Sequence, residues 1–311
     1  MAPIVPVRRV RSGMAMTRTP HRSSRDACLD TDPAPEELEV QAQALAREAE
    51  ALGPAGTLRA AHAYLRRIDK SLASATRDHH PRPLHRAAST TALTIAHASR
   101  WCGLDGNGWL RLAEQRAAAA GDGPLLASAW LSRGTAVGES ARSADCPSPE
   151  AMKHYIAALD RAGSAHAQAG LRASARFMLA WQLAAAGREH AAHLELGAAR
   201  CDAERAGWPM PRIESNAGSA LRKLGWLQEA EMELSGALDT PPIRRTAVLC
   251  DLAHTYVAVG DADTAAEALE EAFVLARADG MESRLPRIVT AKSLLPPGRA
   301  TRQLDEVMRS V

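Results

Sequence analysis

The chain has 311 residues, with 38 basic and 36 acidic side chains and a formal net charge of +2. That balance gives no overall reason to expect a nucleic-acid or membrane partner, and no apolar run is long enough to span a bilayer. The sequence is 46% hydrophobic but only 4% aromatic. Alanine, the strongest helix former, supplies much of the apolar content, and the β-branched and aromatic runs that build strands are scarce.

Residues 1–32 stand apart in composition. They carry Arg8, Arg9, Arg11, Arg18, Arg22 and Arg25 and follow neither a helical nor a strand period. Arg8-Arg9 resembles a twin-arginine export signal, but no apolar stretch follows it. The expectation is a disordered basic tail, or a start assigned too early with Met14 or Met16 as the true one. A tail of this kind can also serve as a nucleic-acid or partner arm, although nothing else in the chain points to direct DNA binding. The five cysteines, Cys28, Cys102, Cys146, Cys201 and Cys250, lie far apart. Their odd number and wide spacing argue against a disulfide framework and against a zinc site, which suits a reducing cytoplasm. Those on helices fall at apolar spacing, where Cys behaves as a small hydrophobe.

Order is expected from Pro33. The segment PEELEVQAQALAREAEALG has acidic residues in its first turn and Gly53 as a stop. Thr57 is placed to cap a second helix, in which Leu58, Ala61, Leu65, Ile68 and Leu72 share one face. Residues 33–82 thus form a helical pair, closed by the polar DHHPRP stretch. Leu93, His97, Leu110 and Ala113 lie in a further pair, joined by WCGLDGNGW. Trp130, Gly134 and Val137, then Ala151, Tyr155, Ala158 and Leu159, mark another, with GESARSADCPSPE as an expanded loop.

Regularity sharpens toward the C-terminus. Gly187, Gly225 and Gly260 each end one helix and open the next, at spacings of 38 and 35 residues. Ala192, Ala230 and Ala265 stand five residues after these glycines, then Leu196, Leu234 and Leu269, then Ala199, Ala237 and Ala272. Leu179-Ala180, Ala217-Gly218 and Leu252-Ala253 precede them. A small residue at a helix crossing lets two backbones approach, and bulky neighbours fill the flanking grooves. One such pair cannot bury its apolar face alone, so pairs stack.

This spacing resembles the tetratricopeptide repeat (TPR) family, whose period is 34 residues. The match spans residues 83–277 and is densest from Thr246 to Arg277, where Leu252, Ala253, Tyr256, Gly260, Ala265, Leu269 and Ala272 fall in register. The resemblance implies an all-α, right-handed α-solenoid of antiparallel helix pairs, with capping helices over 278–311. The tail LPRIVTAKSLLPPGRATRQLDEVMRS and turns such as AAAAGDGPLLASAWLSRG are also similar to the sensor regions of actinobacterial helix-turn-helix regulators. Residues before Pro33 cannot supply that DNA-binding domain.

No phosphate loop, GxSxG elbow or HExxH motif occurs, so an enzyme is not expected; the alternatives are a transcription-associated regulator contacting nucleic acid through the Arg-rich tail, and a biosynthetic accessory or enzyme on a helical scaffold. His190 and His193 lie three apart, as two metal ligands on a helix can, but no partner cluster accompanies them; no metal or cofactor is expected. What remains is a surface. The resemblance implies that the first helix of each pair lines a concave groove. Its positions include Ser174, Phe177, Met178 and Trp181, then Arg212, Ser215, Asn216, Ser219, Arg222 and Lys223, then Cys250, Asp251 and His254. Phe177 and Trp181 are the expected apolar anchor. Asn216 offers a donor and an acceptor to a peptide backbone, and Arg212 or Lys223 a cation for a carboxylate. The expected partner is a peptide or protein segment, in a regulatory setting, with a homodimer as a further possibility.

Overall fold

The computed structural model describes residues 33–74, 81–143 and 146–310. The basic tail expected over residues 1–32, and Asp78, His79 and His80 of the DHHPRP stretch, lie outside the described residues. Among the described residues there are thirteen α-helices and no strand. None of these helices is long and apolar enough to cross a membrane.

The first helix, α1 (Pro35–Ser74), is two limbs joined at Gly53, where φ is 68° and ψ 168°. Only glycine adopts that backbone region without strain, and Pro54 restarts the second limb. The limbs fold back on each other: Tyr64 Oη donates to Leu38 O at 2.6 Å. Thr57 does not cap the second limb. It lies inside the helix, and its hydroxyl donates to Ala49 O at 3.0 Å, closing the turn.

The remaining helices pack in adjacent pairs. They are α2 (Arg82–Trp101) with α3 (Asn107–Ala120), and α4 (Gly123–Ser143) with α5 (Pro149–Ala162). Next come α6 (Ala169–Ala185) with α7 (Glu189–Arg205), α8 (Met210–Lys223) with α9 (Leu227–Gly236), and α10 (Pro242–Val259) with α11 (Ala262–Ala278). Two short helices, α12 (Leu285–Lys292) and α13 (Arg299–Ser310), complete the chain. First members also touch in order, α2 to α4, α4 to α6, α6 to α8 and α8 to α10.

The small residues sit where the pairs cross. Ala192, Ala199, Ala230, Ala237, Ala265 and Ala272 are all fully buried, and so are Leu234 and Leu269. A Cβ built on Gly218 would lie 2.6 Å from Leu234 Cγ, and one on Gly134 would lie 2.7 Å from the Tyr155 ring. These two crossings therefore set a small residue of the first helix against a large one of the second. Burying one such leucine contributes ~1.5–3 kcal/mol. Ala266 is also in the α10–α11 core, at 5% exposure.

Two expectations change. The loop placed at GESARSADCPSPE is shorter, because α4 runs on to Ser143. Gly138 lets that extra turn lie against α5, with the Tyr155 hydroxyl 2.8 Å from where its Cβ would be. The cysteines are not uniformly interior: Cys250 is buried, whereas Cys146 and Cys201 are exposed.

The C-terminal segment returns to the beginning of the array. The 3-10 turn Glu282–Arg284 contacts α2, and α12 contacts α4. Met281 is fully buried, and Trp101 of α2 packs on its cluster. Across a nearby cleft, Leu52, Gly53 and Pro54 of α1 face Pro241, Pro242 and Met281.

Candidate ligand-binding site

That return encloses an interior space between the first helices of the pairs and the C-terminal turn. Two cavities occupy it. The outer one, about 330 Å³, is lined by α2, α4, α6 and the start of α8, with Arg244 of α10. The inner one, about 190 Å³, is lined by α8 and α10 on one side and by Glu139, Arg284 and Arg287 on the other. They share Trp101, Thr135, Glu139, Met178, Asn216 and Arg244 along their common boundary.

Local structure explains how the arginines arrive there. Helices α8 and α10 each carry proline in the first turn, Pro211 and Pro242, and neither has a side-chain cap. Proline is preorganised for that position and gives up no useful donor. Arg212 and Arg244 follow within the same first turns, where the helix dipole disfavours a cation and favours an anion. The guanidinium of Arg212 lies 3.6 Å from the Trp208 ring centroid, which holds it over the outer cavity.

Two clusters tie the walls together. Glu139 of α4 meets Arg100 of α2 at 2.5 Å and Arg284 of the C-terminal turn at 3.8 Å. Asp251 of α10 meets Arg222 of α8 at 3.3 Å and also pairs with Arg287 of α12. The lining of the two cavities holds five arginines against two carboxylates, a net +3. Burial lowers the pKa of Arg284 below the ordinary arginine value. The Cys250 thiol, buried beside this cluster, is pushed up to about 11, chiefly by desolvation.

His97 also lines the outer cavity. Burial, helped by the nearby Arg100, lowers its pKa to about 4, so it is neutral near pH 7. Its Nε2 lies 3.0 Å from Ser132 Oγ, and that hydroxyl donates to Ser128 O at 2.9 Å. A hydroxyl has one proton to give, so His97 Nε2 is the donor and carries the ring proton.

The residues singled out from sequence divide into three groups. Arg212, Asn216 and Ser219, with Ser174, Met178, Ser215 and Asp251, line one cavity or both. Asn216 has one donor committed already, since Nδ2 donates to Arg212 O at 2.7 Å. Arg222 lies just behind the lining on Asp251, its side chain 8% exposed. The others point elsewhere. Phe177 is 1% exposed in the α6–α8 core and stacks with Trp208 at 6.2 Å. Trp181 is equally buried, with the Lys223 ammonium 5.4 Å from its ring centroid. The apolar anchor expected from these two rings is thus core packing, and Lys223 lines neither cavity. His254 is buried too; its Nδ1 donates to Cys250 O at 2.7 Å, and burial lowers its pKa.

Sequence reasoning missed the opposite wall, Arg100, Trp101, Glu139, Arg284 and Arg287, and also Arg244 of α10. His193 proves to be an aromatic partner of Trp226, with ring centroids 4.4 Å apart. Among the described residues, no three His, Cys, Asp or Glu side chains gather where they could hold a metal ion. No known family model matches the sequence, and no curated protein matches it.

Proposed function

We propose that this chain is a TPR-like right-handed solenoid that binds a peptide or protein segment on its inner face, in a regulatory role in the cytoplasm. The observation that carries this reading is the interior surface itself. It combines stacked first helices, an arginine pair at two helix starts, and the amide of Asn216 at the boundary of two cavities. The volume of the outer cavity falls within the range of pockets that take small ligands or a few residues. Trp208 and Met178 give it an apolar floor, and Arg212 and Asn216 give it polar reach.

The reading is tested by selecting binders from a random peptide library and measuring their affinity by fluorescence anisotropy. Asn216→Ala should weaken a selected peptide by ~1–3 kcal/mol, because a buried peptide group loses its partner. Lys223→Glu should change affinity little, since Lys223 lines neither cavity. Peptides that bind Asn216→Ala as tightly as the native chain would remove the inner face from consideration.

A further inference from the structure

The chain is only 4% aromatic, yet two of its six tryptophans, Trp101 and Trp208, line the outer cavity. Both are half-buried. Trp101 packs on the Met281 cluster, and Trp208 stacks on Phe177 with centroids 6.2 Å apart and ring planes 20° apart. Gly170 makes room for this indole, since a Cβ there would lie 3.2 Å from Trp208 Nε1. Core packing thus accounts for one side of each ring, and the cavity meets another.

Arg212, also in the lining, lies over Trp208. Its guanidinium carbon is 3.6 Å from the ring centroid, a flat contact. By contrast, Arg161 stands 5.6 Å from the Trp130 centroid and Lys223 stands 5.4 Å from that of Trp181. Phe177, Trp208 and Arg212 therefore form a stack that leads from the α6–α8 core to the cavity. A guanidinium donates in its own plane, so ion pairs and hydrogen bonds at its edge do not compete with rings for its faces. Arg100, Arg244 and the Met178 thioether belong to the same lining. Cations, a soft sulfur and indoles each attract an aromatic ring beyond what its apolar area supplies, whereas an aliphatic group gains the area alone. The cavity, about 330 Å³, is at the low end of the ~300–1,000 Å³ of ligand pockets, which suits one ring system.

We propose that the outer cavity binds a planar, electron-rich aromatic ring, seated against the Arg212–Trp208 stack. Its source is either the side chain of a bound peptide or a free aromatic molecule. A peptide source rests on the peptide reading above, whose apolar anchor the ring then becomes; a free molecule does not need that reading.

The test is ligand-observed NMR titration of the full chain with two matched series. The first is the N-acetyl amides of phenylalanine, cyclohexylalanine and pentafluorophenylalanine. The second is benzyl alcohol and cyclohexylmethanol. In at least one series the phenyl ligand should bind about threefold or more tightly than its cyclohexyl counterpart, which is of similar size but has no ring quadrupole. The pentafluorophenyl amide, whose quadrupole is reversed, should bind more weakly than the phenyl amide. A phenyl preference among the amides assigns a peptide source, and one among the alcohols alone assigns a free molecule. Arg212→Gln should remove the preference, and Lys223→Gln should leave it. Equal affinity for phenyl and cyclohexyl ligands in both series, no binding in either, or a preference that survives Arg212→Gln would each overturn the proposal. The comparisons on the native chain hold whatever the stability of the variant. Asn216→Ala reports on the peptide reading instead. A ring preference beside unchanged peptide affinity in that variant fails the peptide reading and leaves the ring site standing, and the reverse result does the opposite.

Discussion

The α10–α11 crossing and the interior cavities lie on opposite sides of one helix and are built by opposite rules. At the crossing, Ala253, Ala265, Leu269 and Ala272 are fully buried and carry no charge. On the other side of α10, Asp251 is 4% exposed and engages two arginines. The crossing derives its specificity from volume, and a repeating small–large register is enough to specify it. The cavity side derives its specificity from charge, which is a poor way to gain stability because desolvation offsets much of the attraction. A protein that needed only stability would fill that space with apolar side chains. The difference separates what holds the fold from what the fold presents.

The contrast can be broken most forcefully at Asp251. Asp251→Ala leaves Arg222 and Arg287 buried without their shared carboxylate, and should cost ~3–5 kcal/mol by urea denaturation. A loss below ~1 kcal/mol would mean that the cluster is solvated like a surface pair. At the crossing, Ala265→Leu should cost ~1–3 kcal/mol through overpacking. Ala266 lies about a third of a turn away and is buried in the same core. Ala266→Leu should therefore be penalised as well, and two harmless substitutions would sink the proposed register.

A smaller effect comes from His97. Its folded pKa of about 4 lies below the ordinary 6.5. The unfolded chain therefore takes up a proton first as pH falls. Stability is fully present above pH 6.5 and declines down to about pH 4. The decline should be ~1–2 kcal/mol, after allowance for partial solvation. His97→Gln should flatten that part of the pH–stability profile, and an unchanged slope would assign it to other groups. The smallest effect is expected at Lys223→Gln, within ~0.5 kcal/mol in a thermal melt, because its side chain is half-exposed at the end of α8 and lines neither cavity.

The same contrast explains what was legible in the sequence. Helix pairing is a local property, so Gly187, Gly225 and Gly260 with their alanines marked the pairs directly. The inner wall is not local. Arg100, Glu139 and Arg284 are separated by 39 and 145 residues, and no periodicity relates them. Glu139 was further obscured because GESARS reads as loop, while Gly138 in fact lets α4 continue against Tyr155. Arg212, Asn216 and Ser219 were readable as inner-face residues because they follow the helical repeat of α8. Phe177 and Trp181 follow a similar repeat, yet their rings are large enough to reach the core between helices, and burial of apolar area outweighs exposure on the groove. One signal was available and unused: arginine in the first turn of both α8 and α10, where the dipole alone would favour an acid.

The central claim is that the interior arginines serve a ligand while the alanine crossings hold the fold. The most direct test is the urea midpoint of Arg244→Gln without ligand at low salt, measured beside the native chain. Arg244 lines both cavities and stands in the first turn of α10, where the helix dipole disfavours a cation, so its replacement should cost less than ~1 kcal/mol. A fall as large as that of Asp251→Ala would make Arg244 a structural residue and contradict the account.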